Sequence, residues 1–140
     1  MQFYKIWPFM AGFPSEETIG DLNSRGPKLS FLKFVLDIEP PSDLIGQDNI
    51  FLATEKLVNA LKPLNPTGVK FHKDDVEIMG DANFADGTFK ANYDEWWWLE
   101  VFGEPGKDDF AYDVGLIVPQ RIMDVLEEFN LDYCEVFKYA

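Results

Sequence analysis

The pattern of apolar and polar residues divides the chain into strand-like pieces and two stretches that show the longer period of a helix. Residues 2–7, 28–37 and 95–102 read as strands. The second of these is apolar on both faces, which is typical of a strand in the middle of a sheet. The helical stretches are 55–62 and 119–129, each with a single apolar stripe.

An internal similarity relates two parts of the chain. Residues 51–71 read FLATEKLVNALKPLNPTGVKF, and residues 116–137 read LIVPQRIMDVLEEFNLDYCEVF. Each predicts a short strand, a helix of two to three turns and a second strand, with Thr54 as an N-cap and Pro119 in the first helical turn. Because a helix with one apolar stripe buries that stripe against a sheet, the pattern predicts an α+β fold with a mainly antiparallel central sheet and two helices packed on it.

Length and composition indicate one folded domain over residues 1–140. The chain is 46% hydrophobic and 16% aromatic, and it contains no linker or low-complexity tract. It has no apolar run long enough for a membrane span and no segment like a secretory signal, so we expect a cytoplasmic protein. The one cysteine, Cys134, cannot form an internal disulfide, and its apolar setting predicts a buried position in a strand.

Charge is the strongest feature of the composition. Twenty-five acidic residues face twelve basic ones, which gives a net charge of −13. Twelve of the carboxylates, with only two lysines, fall within residues 74–113. Such a surface repels nucleic acid and anionic membranes and attracts a basic protein. The alternative is a face that serves only solubility.

The sequence offers little for catalysis or for a cofactor. His72 is the only histidine, and no nucleophile motif, phosphate-binding loop or dinucleotide fingerprint is present. The acidic segment 81–87 does not begin an EF-hand loop, because Asp86 and Asn92 stand where such a loop needs glycine and glutamate. We therefore predict no enzyme activity, no metal and no cofactor, with His72 at a strand edge or facing solvent. A small enzyme or ligand-binding domain with a carboxylate-lined pocket is the alternative, and a weak divalent-cation site on the acidic face stays open.

The consecutive tryptophans 96–98 lie on a predicted strand, where successive side chains point to opposite faces. Trp97 shares its face with Leu99 and Val101, which predicts a core position. The other face mixes indoles with carboxylates, as protein interfaces often do. The predicted partner-binding residues are Asp94, Trp96, Trp98, Glu100, Asp108 and Asp109. Alternatively, a neighbouring element covers this face and buries both indoles, and a bulge would exchange the two faces.

The two similar units resemble a family of small bacterial proteins, the immunity proteins of polymorphic toxin systems. In that family a phrase of the type V-S-E-K-L-x-x-x-L leads into G-V-x-F. Here residues 53–57 read Ala-Thr-Glu-Lys-Leu, with threonine where serine is usual, and G-V-K-F follows. The resemblance carries no catalytic residue. It implies a cytoplasmic inhibitor that binds a cognate toxin, a basic domain given the charge of this chain, and blocks its active site or substrate cleft. A self-associating regulatory module is the alternative.

Overall fold

The computed structural model describes residues 2–21, 28–80 and 95–139, which contain twelve strands and two α-helices. The strands are β1 (Phe3–Trp7), β2 (Gly12–Pro14), β3 (Ile19–Asp21), β4 (Lys28–Leu36), β5 (Leu44–Gln47), β6 (Ile50–Thr54), β7 (Val69–His72), β8 (Val76–Gly80), β9 (Trp96–Val101), β10 (Ala111–Tyr112), β11 (Leu116–Pro119) and β12 (Glu135–Tyr139). The helices are α1 (Glu55–Leu61), which continues into a 3-10 turn (Lys62–Leu64), and α2 (Gln120–Leu126). The predicted α+β class is confirmed.

These strands form three sheets of four strands each within the described ranges. Sheet I has the order β5-β6-β9-β7, and sheet II has the order β10-β11-β1-β12. Sheet III has β2 and β3 along one side of β4 and β8 along the other. Neighbouring strands are antiparallel throughout, except that β8 runs parallel to β4. The fold is therefore mainly antiparallel, as predicted, but its strands are shared among three sheets.

Sheet I lies at the centre, with a hydrophobic core on each face. The first core joins sheet I to sheet II and to the apolar stripes of both helices, which include Leu57 and Leu126. The second core joins the opposite face of sheet I to sheet III, through residues such as Leu52 and Phe34. Strand β6 runs between the two cores, so all five of its residues are buried.

The internal similarity predicts two equivalent strand-helix-strand units, and this is confirmed. One unit is the hairpin β5–β6 followed by α1 and β7, and the other is the hairpin β10–β11 followed by α2 and β12. Within each unit, a strand from elsewhere in the chain lies antiparallel between the two flanking strands. This strand is β9 in the first unit and β1 in the second. The two helices contact each other over the first core.

Both helices end earlier than predicted, at Leu61 and Leu126. Thr54 occupies the N-cap position of α1, but its hydroxyl donates to Asp43 and makes no cap hydrogen bond. Pro119 is itself the N-cap residue of α2, because it still belongs to β11 and has extended backbone angles. Cys134 lies just before β12 and is only partly buried, so the prediction of a buried strand position is wrong.

Candidate functional site

The tryptophan strand β9 pairs regularly with β6 and β7, and no bulge interrupts it. Its even-numbered face is directed towards sheet III and belongs to the second core. Trp96 is 3% exposed and Trp98 is 0% exposed. The prediction that these two indoles face outward is therefore wrong, because a second sheet covers the face that sequence reasoning assigned to a partner. The alternative, in which a neighbouring element buries them, is the one observed.

The odd-numbered face of β9 is directed towards the first core. Leu99 and Val101 are buried there, as predicted. Trp97 packs against the same core but is only half-buried, and the Nζ atom of Lys62 lies 4.0 Å from the centre of its ring. Lys73 lies 5.7 Å from the same ring. The most accessible indole of the three is therefore the one predicted to be core.

His72 connects β7 to the acidic residues around it. Its Nδ1 atom lies 3.2 Å from Oδ2 of Asp75, and its Nε2 atom lies 2.7 Å from Oε1 of Glu100. The ring also stacks on Trp98, with 4.3 Å between centroids. Only a doubly protonated imidazole can donate to both carboxylates. The predicted strand-edge position is correct, since β7 is the outer strand of sheet I, but the side chain is 8% exposed and does not face solvent.

Asp109 has a structural contact with α2. Arg121 donates from Nε to Oδ1 over 2.9 Å and from Nη2 to Oδ2, and the backbone N–H of Thr67 donates to Oδ2 over 2.9 Å. The Arg121 guanidinium, followed by the Thr67 N–H, holds the pKa of Asp109 below its ordinary value, although burial opposes this. Arg121 also donates to the carbonyl of Leu64. Asp109 thus ties the 103–109 turn to the segment after α1 and to the start of α2.

The side chains of Asp108 and Glu100 also form contacts within the chain. Asp108 accepts the backbone N–H of Glu104 over 2.7 Å and so closes its own turn, while Glu100 binds His72. Asp94 lies outside the described residues, as does the segment 81–87. The structure therefore does not bring the predicted partner-binding residues together on one exposed face. A binding role for Glu100, Asp108 and Asp109 stays a prediction.

Acidification is expected to weaken the contact between Asp109 and Arg121. The folded-state pKa of Asp109 lies below its ordinary value of 3.8. The stabilisation is therefore fully present above that pH and is lost as the pH falls through the lower folded-state pKa. Asp109→Asn should cost about 1 kcal/mol at neutral pH, a value kept small because Arg121 is largely solvated. Urea unfolding of both proteins from about pH 7 to pH 2 checks this, and a difference that does not shrink at low pH contradicts it.

A second group of carboxylates, which sequence reasoning missed, lies on the surface within residues 124–135. Its exposed carboxylates are Asp124, Glu127, Glu128, Asp132 and Glu135. No lysine or arginine occurs between Arg121 and Lys138, so nothing in the segment offsets them. The sequence carries this signal, but it is weaker than the excess in residues 74–113.

This segment leads directly into β12, the outermost strand of sheet II. None of the described strands pairs with the outer edge of β12. Its Val136 and Phe137 are exposed, and so is Tyr133 just before it. We name this surface the acidic edge: the carboxylates of 124–135 together with strand β12. It combines exposed apolar side chains and concentrated negative charge with a strand whose outer edge is unpaired among the described strands.

Two further observations bear on function. Among residues 2–21, 28–80 and 95–139, no three histidine, cysteine or carboxylate side chains are grouped so that they could hold a metal ion. Neither described helix is long and apolar enough to cross a membrane. Comparison with known proteins assigns no family, because the chain matches no protein-family model and shows no significant similarity to a curated protein.

Proposed function

We propose that this protein is an acidic inhibitor of the immunity type, which binds a basic toxin domain in the cytoplasm and blocks its active site or substrate cleft. The observation that carries the proposal is the acidic edge. There the exposed Val136 and Phe137 lie on a strand whose outer edge pairs with none of the described strands, and five exposed carboxylates precede or begin that strand with Lys138 as its one basic residue. A strand edge is a common docking site for an extended segment of another protein, because its free N–H and C=O groups can add one more strand.

Charge decides which kind of partner suits this edge. The whole chain carries −13, so a second copy would bring like charges together at the same surface. A basic partner gains attraction over a long range and is steered towards the edge before contact. A cationic partner is therefore favoured over self-association.

The assignment of the partner as a toxin rests on the family resemblance. The quoted phrases fall on β6-α1-β7 and β11-α2-β12, which are the two equivalent units of the fold. If the toxin is a nuclease, its active site is basic because it holds a phosphate backbone. The carboxylates of the acidic edge would occupy that site in place of phosphates. The proposal predicts a toxin gene directly upstream, and an activity assay of its purified product with and without this protein tests it.

Association with the partner is expected to depend on the charge of the acidic edge. Neutralising four carboxylates there should slow association about tenfold at low salt and reduce its salt dependence, while dissociation changes less. The edge variant carries Glu127→Gln, Glu128→Gln, Asp132→Asn and Glu135→Gln. Stopped-flow or surface-based kinetics at several salt concentrations measures both rates.

A matched variant separates local from overall charge. It removes the same four charges from exposed positions outside the acidic edge, with Glu16→Gln, Asp37→Asn, Glu39→Gln and Asp74→Asn. This control should retain most of the association rate. Equal slowing in both variants would mean that only net charge matters, and an unchanged rate in the edge variant would place the docking surface elsewhere.

A further inference from the structure

A cleft of about 290 Å³ opens between the hairpin turns of the two equivalent units. One turn joins β5 to β6 and contains Asp48, and the other joins β10 to β11 and contains Val114. The cleft is lined by Trp7, Pro8, Met10, Gly46, Gln47, Asp48, Tyr112, Val114 and Gly115. No function described above uses it.

Trp7 forms a fixed wall of this cleft. Its Nε1 atom donates to the carbonyl of Val114 over 2.7 Å, and its ring meets that of Phe137 edge-on at 4.9 Å. Gly115 allows the indole to lie against the backbone, since a Cβ there would be 2.8 Å from Cδ1 of Trp7. The indole is 44% exposed in spite of these contacts. An aromatic surface held in one orientation loses little entropy when a ligand binds to it.

The electrostatic environment of the cleft is negative. Asp48 contributes an exposed carboxylate, and no lysine or arginine lines the cleft. Burial, and then the carboxylates of Asp48 and Asp113, raise the pKa of Tyr112. The nearest lysine on β1, Lys5, has its ammonium over the ring of Tyr139 at 5.5 Å.

Both turns hold a non-glycine residue in the left-handed region. Asp48 has φ of 53° and Val114 has φ of 49°. This conformation is unusual for any residue with a Cβ and a clear outlier for a β-branched one. Backbone strain of this kind is concentrated at binding and catalytic sites, where the surrounding structure imposes it. Here both strained residues, Asp48 and Val114, line the cleft.

We propose that the cleft binds the guanidinium side chain of an arginine from the basic partner. A planar cation stacks well on an indole face and pairs with a nearby carboxylate, and the cleft supplies both through Trp7 and Asp48. Because Trp7 also contacts Phe137 of β12, the cleft is continuous with the acidic edge. The proposal rests on the proposed function, and it adds an anchoring pocket to that docking surface.

Titration with a small arginine probe tests the cleft without the partner. N-acetyl-arginine methylamide is added to the ¹⁵N-labelled protein, and the indole N–H signals are followed by NMR. The Trp7 signal should shift and saturate with a dissociation constant of about 1–10 mM. The signals of the buried Trp96 and Trp98 serve as internal controls and should stay in place.

Two comparisons make the test specific. N-acetyl-citrulline methylamide has the same shape without the charge and should bind at least about fivefold more weakly, as should the arginine probe to Asp48→Asn. Asp37→Asn removes one exposed charge outside the cleft lining and should leave binding unchanged. A Trp7 signal unmoved at about 50 mM probe, or equal binding of both probes, overturns the proposal.

The outcomes for the cleft and for the proposed function are separable. If the protein inhibits a basic toxin but the arginine probe leaves Trp7 unmoved, the cleft proposal fails alone. If the probe binds as expected but no basic toxin is inhibited, the cleft is an arginine site and the inhibitor proposal fails.

Discussion

Trp98→Ala is expected to lower the free energy of unfolding by about 3–5 kcal/mol, the usual cost of truncating a large buried aromatic side chain. Trp98 is fully buried, faces sheet III across the second core and pairs with Leu52 of β6. Its removal leaves a cavity between two sheets that cannot close without moving one of them. Urea unfolding followed by far-UV circular dichroism measures the loss.

Two variants show whether this cost comes from burial. Trp97→Ala removes the same group from a half-buried position and should cost less than about 2 kcal/mol. The Nε1 atom of Trp98 is buried without a hydrogen-bond partner among the described residues. Trp98→Phe removes that unsatisfied donor and keeps an aromatic ring, so it should be tolerated far better than alanine. A Trp97→Ala loss equal to that of Trp98→Ala would contradict the assignment of the two faces.

Asp43→Ala is expected to cost about 3 kcal/mol, because it leaves the buried Thr54 hydroxyl and the partly buried N–H of Asn130 without their acceptor. The carboxylate of Asp43 accepts the backbone N–H of Asn130 over 2.9 Å and the hydroxyl of Thr54 over 3.1 Å. The backbone of Asp43 forms two more bonds, to Asn130 and Thr54. The residue thus joins the start of β5 to the loop after α2, which belongs to the other unit of the fold.

The controls for Asp43 separate buried hydrogen bonds from surface charge. Lys56 lies 3.4 Å from the same carboxylate but is mostly exposed, so Lys56→Ala should cost less than about 1 kcal/mol. Asp132→Ala removes an exposed carboxylate and should change stability by less than about 0.5 kcal/mol. If Lys56→Ala matched the loss from Asp43→Ala, the ion pair and not the buried hydrogen bonds would be responsible.

Because Trp96 and Trp98 are buried, the candidate interface is a different surface from the one predicted. Strand β9 lies inside sheet I, whereas β12 lies at the rim of sheet II, where none of the described strands pairs with its outer edge. Exposed aromatic residues are present at that rim, in Trp7, Tyr133 and Phe137. Aromatic side chains beside carboxylates therefore occur on a different surface from the predicted one, and a binding role for either surface stays a prediction.

The sequence by itself determined the local elements and their class. Short apolar runs identified β4 and β9, and the single apolar stripes located both helices, because the side-chain period of each element follows from backbone geometry. The repeated phrases also revealed two equivalent units, since each phrase encodes one strand, one helix and one strand. The register of β9 was likewise readable, and Leu99 and Val101 lie in the core that it predicts.

Only the tertiary structure decided what covers each face. The period of a strand separates its two faces but does not say whether solvent or a second sheet lies over either one. Sheet III buries Trp98 through contacts with β4, more than sixty residues earlier in the chain. The ion pair of Asp109 with Arg121 and the cleft between two distant turns likewise depend on how the units pack. Charge and aromatic content were fixed by the sequence, and their placement on the surface was fixed by packing.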